Sequence, residues 1–163
     1  MSHKRLQLIL LALATACAAC SGAVPFQATP DYSRFSHSWA TPQVTLYWDC
    51  TEVEPGSLRI DGVGVNLWEP VPPQFLELSL YGVDAYGWVI SGTRTTAQGV
   101  ELLKNFPVPF HLELKEQGGE ARVDLVYRYQ YRDDSFDGFF RWVPTYVTGR
   151  VPEACGKGGQ QPR

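Results

Sequence analysis

The chain has 163 residues, with 14 Lys and Arg against 17 Asp and Glu, and 13% of its residues are Phe, Trp or Tyr. An acidic balance lacks the basic footprint that nucleic-acid binding needs, which excludes that class of partner. The 15 Gly, 12 Pro and single Met favour strands and turns over helices.

Met1-Ser2-His3-Lys4-Arg5 is a short basic segment, and Leu6 to Ala19 is uncharged and rich in Leu, Ile and Ala. A basic start, a short apolar core and small residues at its end are the parts of a secretory signal. The run falls short of the ~20 apolar residues that a bilayer span needs. Cys17-Ala18-Ala19-Cys20 then places two small residues before a cysteine. This resembles the lipobox of bacterial envelope lipoproteins, and the resemblance implies cleavage before Cys20, acylation of Cys20 with palmitate-type chains, and attachment to a membrane outside the cytoplasm. The sequence departs from the pattern in having Cys17 where Leu is usual. Cys17, preceded by Ala14-Thr15-Ala16, is the alternative lipid site, and the same triplet fits an ordinary cleavage site that leaves no lipid. Ser21 in place of Asp after the cysteine implies, by the same resemblance, the outer membrane where the organism has one.

Cysteine parity favours Cys20. Cleavage there discards Cys17, commits Cys20 to lipid and leaves Cys50 and Cys155 as an even pair in an oxidising compartment, where a disulfide is expected. Acylation of Cys17 would leave Cys20 as an odd thiol. A redox reading of Cys17-Ala18-Ala19-Cys20 lacks the βαβ setting that such motifs require. More than one acyl chain makes the attachment stable. Loss of Lys4 and Arg5 with the leader takes the net charge from −3 to −5.

The domain plan is a signal over 1–19, a lipid-anchored tether over 20–42, a folded domain over 43–155 and a polar tail over 156–163. The tether is rich in Ala, Ser, Thr and Pro, yet Phe26, Phe35 and Trp39 suit docking better than a bare linker. Val44 to Trp48 opens the strand pattern, and Glu54-Pro55-Gly56 turns it. Leu58 to Asn66 alternates around an expected irregularity at Gly62. Phe75 to Tyr81 sets Leu76, Leu78 and Leu80 on one face. Asp84-Ala85-Tyr86-Gly87 is a hairpin turn, and Trp88 to Thr96 returns from it. Ala97 to Asn105 has room for a helical turn. Phe110, Leu112 and Leu114 alternate with His111, Glu113 and Lys115, and Gln117-Gly118-Gly119-Glu120 is a turn. Val123, Leu125, Tyr127, Tyr129 and Tyr131 share a face of the longest strand. Phe139 to Val147 closes the set, with Pro144 marking an edge or bulge.

About seven short strands, each ended by turn chemistry, predict an all-β fold: a single antiparallel β-sandwich of immunoglobulin-like type. A Cys50–Cys155 bridge would tie its first strand to its last. Asp61-Gly62-Val63-Gly64-Val65-Asn66, Leu78-Ser79-Leu80-Tyr81, Asp84-Ala85-Tyr86-Gly87 and Phe110-His111-Leu112 together resemble the FxLYD-type sandwich domains of bacterial surface lipoproteins. Gly82-Val83 stand between Tyr81 and Asp84, where that family runs on directly. The resemblance covers about a third of the chain and implies a binding or assembly module without catalytic residues.

No site of strong chemistry emerges. HExxH, GxSxG, Rossmann and phosphate-loop patterns are absent, so no catalytic residue, cofactor or firm metal site is assigned. Asp133, Ser135, Asp137 and Gly138 have the spacing of the start of a calcium loop, but Pro144 stands where a bidentate Glu belongs. His111 and Glu113 share one strand face, about 7 Å apart, an arrangement open to acid–base work. Tyr127, Tyr129 and Tyr131 read as core, with Tyr131 nearest the rim. The leading expectation is a non-enzymatic envelope lipoprotein that binds or supports a protein partner. The second is a glycan-binding module using Tyr131, Trp142 and Trp88. The third is a small hydrolase with a cleft at His111.

Overall fold

The computed structural model describes residues 31–67, 72–97, 101–132 and 144–156, and these fall in one compact unit beginning at Asp31. Eight strands are present among them: β1 (His37–Ala40), β2 (Val44–Glu54), β3 (Ser57–Asn66), β4 (Gln74–Val83), β5 (Val89–Thr96), β6 (Pro107–Lys115), β7 (Arg122–Arg132) and β8 (Pro144–Val151). One sheet has the order β1-β2-β3-β6 and the other β5-β4-β7-β8, with every pairing antiparallel. Setting β1 aside, three strands face four, and the third and sixth strands are neighbours in one sheet as the fourth and seventh are in the other. This is the Greek-key order of an immunoglobulin-like sandwich. No helix occurs among the described residues.

Side-chain alternation builds the core. β6 alternates exposed and buried positions along its whole length, placing Val108, Phe110, Leu112 and Leu114 inside. Leu46, Trp48 and Ile60 join them from the same sheet, and Leu78, Leu80, Leu125, Tyr127 and Tyr129 face them from the other. Trp48 is completely buried, and its indole N–H donates to the Ala154 carbonyl at 2.9 Å, which satisfies the one polar atom that burial would otherwise strand. Gly62, opposite Trp48, leaves room for the Phe110 ring and the Trp48 Cβ. A Cβ at Gly62 would stand 2.3 Å from the Tyr47 carbonyl oxygen and 2.5 Å from Phe110.

Gly62 therefore answers a need for close approach, and the expected irregularity there does not form. The β2–β3 and β3–β6 registers pass through it unbroken, while the β2–β3 register shifts between Glu52 and Glu54 and β4 carries shifts at Gln74/Glu77 and Gly82/Val83. Ser57 to Asn66 is one continuous strand.

Three further boundaries differ from the sequence reading. The folded unit begins before residue 43, because His37–Ala40 pairs with Thr45–Trp48 and supplies an eighth strand from within the tether. Four residues are too few to show a period of two, so this strand leaves no mark in the sequence. β8, described from Pro144, runs to Val151, past the expected end at Val147, while residues 139–143 of the expected strand lie outside the described residues. β8 is an edge strand, as its proline implied. Residues 101–105, where a helical turn had room, form isolated bridges: Asn66 with Lys104 and Gln74 with Glu101. Leu102 from this stretch is fully buried in the core.

Cys50 and Cys155 are bonded, with 5.7 Å between their Cα atoms. The chain after β8 is held three more times: Ala154 N–H donates to Val123 O at 2.7 Å, Glu153 N–H to Asp124 Oδ1 at 3.0 Å, and Ala154 O accepts from Trp48. Asp124 is fully buried and also receives the guanidinium groups of Arg150 and Arg122. Burial by itself pushes the Asp124 carboxyl up, but the hydrogen bonds from Arg150, Glu153 N–H and Arg122 outweigh it and hold the group below its ordinary value.

Candidate functional site

The edge where the two sheets meet carries an open groove of about 580 Å³. β3 and β6 supply Asp61, Val63, Pro109 and His111, and β5 supplies Thr95 and Thr96. Arg34 and Phe35, from the segment that precedes β1, stand over them.

That preceding segment is fastened from below. Asp49 Oδ1 accepts from both the Ser36 N–H at 2.7 Å and the Ser36 hydroxyl at 2.6 Å. The Ser36 side-chain bond is the main cause holding the Asp49 carboxyl below its ordinary range, against an opposing effect of burial. Tyr32 stacks on Tyr47 with ring centroids 4.6 Å apart, and burial against that ring raises the Tyr32 hydroxyl. Phe35 tilts against the same Tyr47, and the Arg34 guanidinium lies over the Phe35 ring at 5.0 Å. Phe35, expected to dock from the tether, does so and contributes with Arg34 one wall of the groove.

The polar floor is set by register. Asp61 and His111 are directly opposite on β3 and β6, and His111 Nδ1 meets Asp61 Oδ1 at 2.7 Å. Arg59 reaches the other carboxylate oxygen at 3.0 Å. The expected partner of His111, Glu113, accepts instead from the Ser57 hydroxyl at 3.2 Å. A His–Asp pair here has a carboxylate and a base, but none of the groove's lining residues is Ser or Cys. Cys50 and Cys155 are spent on the disulfide. The only hydroxyls lining the groove are those of Thr95 and Thr96 on β5, across from the pair on β3 and β6.

The backbone bordering the groove offers different chemistry. β5 ends its sheet, so the edge turned away from β4 has no strand partner among the described residues. The other three edge strands carry features that discourage pairing: β1 has four residues, β6 begins Pro107-Val108-Pro109, and β8 contains Pro144. β5 runs eight residues, Val89-Ile90-Ser91-Gly92-Thr93-Arg94-Thr95-Thr96, with no proline and one charge. Short length, proline and charge are the usual protections of an edge, and β5 has little of them.

The candidates from the sequence are scattered. Trp88 stands at the β4–β5 hairpin and is 72% exposed. Tyr131 lies near the far end of β7, half-buried against the core. Because β7 starts beside Val83 at the hairpin end, nine residues of strand, roughly 30 Å, separate the level of Trp88 from that of Tyr131. These two aromatics form no single strip. Tyr127 and Tyr129 are buried. Tyr129 Oη donates to Gln43 Oε1 at 2.6 Å and meets Thr41 Oγ1 at 2.9 Å, fastening the β1–β2 turn. Trp142, the calcium candidate Asp133, Ser135 and Asp137, and both lipidation candidates, Cys20 and Cys17, lie outside the described residues. Among the described residues no three metal-binding side chains converge.

Sequence reasoning missed Arg34, Thr95 and Thr96 as groove residues, and Tyr86, Val89 and Ile90 as exposed neighbours of Trp88. Trp88-Val89-Ile90 did carry a signal: three consecutive large apolar residues after a turn cannot all face one core.

No protein-family model and no curated protein matches the sequence. Among solved structures, the chain is similar to the GAE domain of yeast GGA1, with 12% identity, 71% of this chain and 98% of that one covered, and a TM-score of 0.42. It is also similar to the GAE domain of GGA2p from Saccharomyces cerevisiae, with 11% identity, 71% and 95% covered, and a TM-score of 0.36.

Proposed function

We propose that this protein is a non-enzymatic lipoprotein of the bacterial envelope, anchored through Cys20, whose sandwich binds an extended segment of a protein partner along β5. The observation that carries the reading is the eight-residue β5 edge, without proline and bordering a groove. An extended chain laid there satisfies its backbone donors and acceptors on β5, which is the chemistry of strand addition. Its side chains meet Phe35 and Pro109 on the apolar side and Arg34, Asp61 and His111 on the polar side. A groove of this size accepts a few residues, so the interaction is of the small, transient kind.

The test is site-specific photocrosslinking in native membranes. A crosslinker at Arg94 on β5 is expected to capture one stoichiometric protein, and the same group at Thr148 on β8 is expected to capture none. Binding of that protein, once purified, should weaken in Thr93→Lys, which places a charge on the edge. Equal capture at both positions, or binding unchanged by Thr93→Lys, would overturn the reading. Retention on polysaccharide that is lost on replacing Trp88 would favour the glycan-binding alternative, for which the exposed Trp88 is the supporting observation.

A further inference from the structure

The β4–β5 hairpin is a preformed aromatic finger. Asp84 Oδ1 accepts from the N–H groups of Tyr86 at 2.9 Å and Trp88 at 2.8 Å. Asp84 N–H donates to Trp88 O at 2.9 Å, and Gly87 N–H to Asp84 O at 3.1 Å. Gly87 takes a φ of 91°, in the left-handed region open to glycine, with nothing within 4 Å of where a Cβ would stand. Behind the tip, Glu120 accepts from the Ser91 hydroxyl and the Gln117 N–H, each at 2.8 Å. These bonds hold out Tyr86 at 88% exposure and Trp88 at 72%, with Val89 and Ile90 also exposed. From Ala85 to Thr93 the chain bears no charge, and the carboxylate nearest the tip is occupied by two backbone donors.

We infer that this finger seats in the headgroup–acyl boundary of the membrane that carries the protein. Trp and Tyr rings prefer that boundary because one part of each is apolar and the other can bond to water or headgroups. Val89 and Ile90 add the aliphatic surface that enters beneath them. The length of chain ahead of the folded unit supports a bilayer as the occupant. Ten residues lie between Cys20 and Asp31, and the stretch reaches at most ~40 Å. The segment that follows is fastened at Asp49, which pairs with Asp61, four residues or ~13 Å from the β2–β3 turn at the hairpin end of the sandwich. A tether of that reach lets the hairpin end rest on the membrane in which Cys20 is anchored. The inference rests on the acylation of Cys20 for this proximity. Seated so, the protein sinks only the first two residues of β5 and holds Ser91 to Thr96, with the groove, above the lipid.

The experiment uses the full mature chain, purified and reconstituted in phosphatidylcholine vesicles with plain or brominated acyl chains. Emission from Trp88 is isolated as the difference between wild type and Trp88→Phe. Contact with a boundary into which side chains sink ~5–10 Å should lower it to roughly half in the brominated vesicles. Intact mass reports separately whether Cys20 carries acyl chains. Quenching of Trp88 supports the inference whether or not acyl chains are found, and their absence would sink the anchoring reading alone. An acylated chain whose Trp88 is as bright in brominated as in plain vesicles overturns the inference while leaving the anchor intact. Trp88 open to aqueous iodide in vesicles but shielded once native envelope proteins are added also overturns it, in favour of a protein contact.

Discussion

Single side chains in this molecule are decided by what stands opposite them. Gly62 is the register partner of both Trp48 and Phe110, and the Phe110 ring fits over it because the glycine has no Cβ. Gly62→Ala is expected to cost about 2 kcal/mol, the usual penalty for overpacking a dense core. The closest obstacle is backbone and cannot rotate away. Urea unfolding at constant m-value checks this. Asp124 is governed by charge. Its folded-state carboxyl lies below the ordinary value of 3.8, so it binds a proton less readily in the folded than in the unfolded chain. The stability it contributes is complete above the unfolded value and is lost as pH falls from about 4 through the folded value. Asp124→Asn should be less stable at neutral pH and show a flatter decline in acid, read from thermal melts across pH 2 to 7.

The elements divide into those that advertise themselves and those that borrow their form. β6 and β7 are visible as alternation, because each has one face in the core and one toward water. β1 is a strand only because β2 offers it partners, and residues 101–105 are ordered by Asn66, whose Nδ2 donates to Leu102 O at 2.9 Å. The disulfide belongs to this scale. It joins β2 to the chain after β8 across a separation of 105 residues. Removing it as Cys50→Ser/Cys155→Ser should cost about 4 kcal/mol, since long loops lose most unfolded-state entropy when closed. The Trp48 and Asp124 bonds keep the last turn attached but weakened. Denaturation of the double variant against the oxidised protein measures the loss, and hydrogen exchange at Glu153 and Ala154 should rise first.

At the scale of the whole molecule, most contacts join residues distant in sequence, as a two-sheet Greek key requires. Such topologies close long loops before non-local pairing rewards them, and they fold in milliseconds to seconds. Refolding with the disulfide intact should fall in that range by stopped-flow Trp fluorescence, with Trp48 burial as the dominant signal. The candidate groove was far less legible than the sandwich. The all-β class, the positions of most strands and the Cys50–Cys155 pairing follow from the sequence because period-two alternation, turn residues and cysteine parity are local or countable properties of the chain. The groove joins Arg34 to Thr95 and Asp61 to His111, and those neighbours exist only after β3, β5 and β6 have taken their places in two sheets. The burial of Tyr129 was legible, because alternation sets it in line with Val123 and Leu125 on the core face. The degree to which Trp88 is exposed was not, because it depends on how the hairpin tip projects beyond the packed sheets.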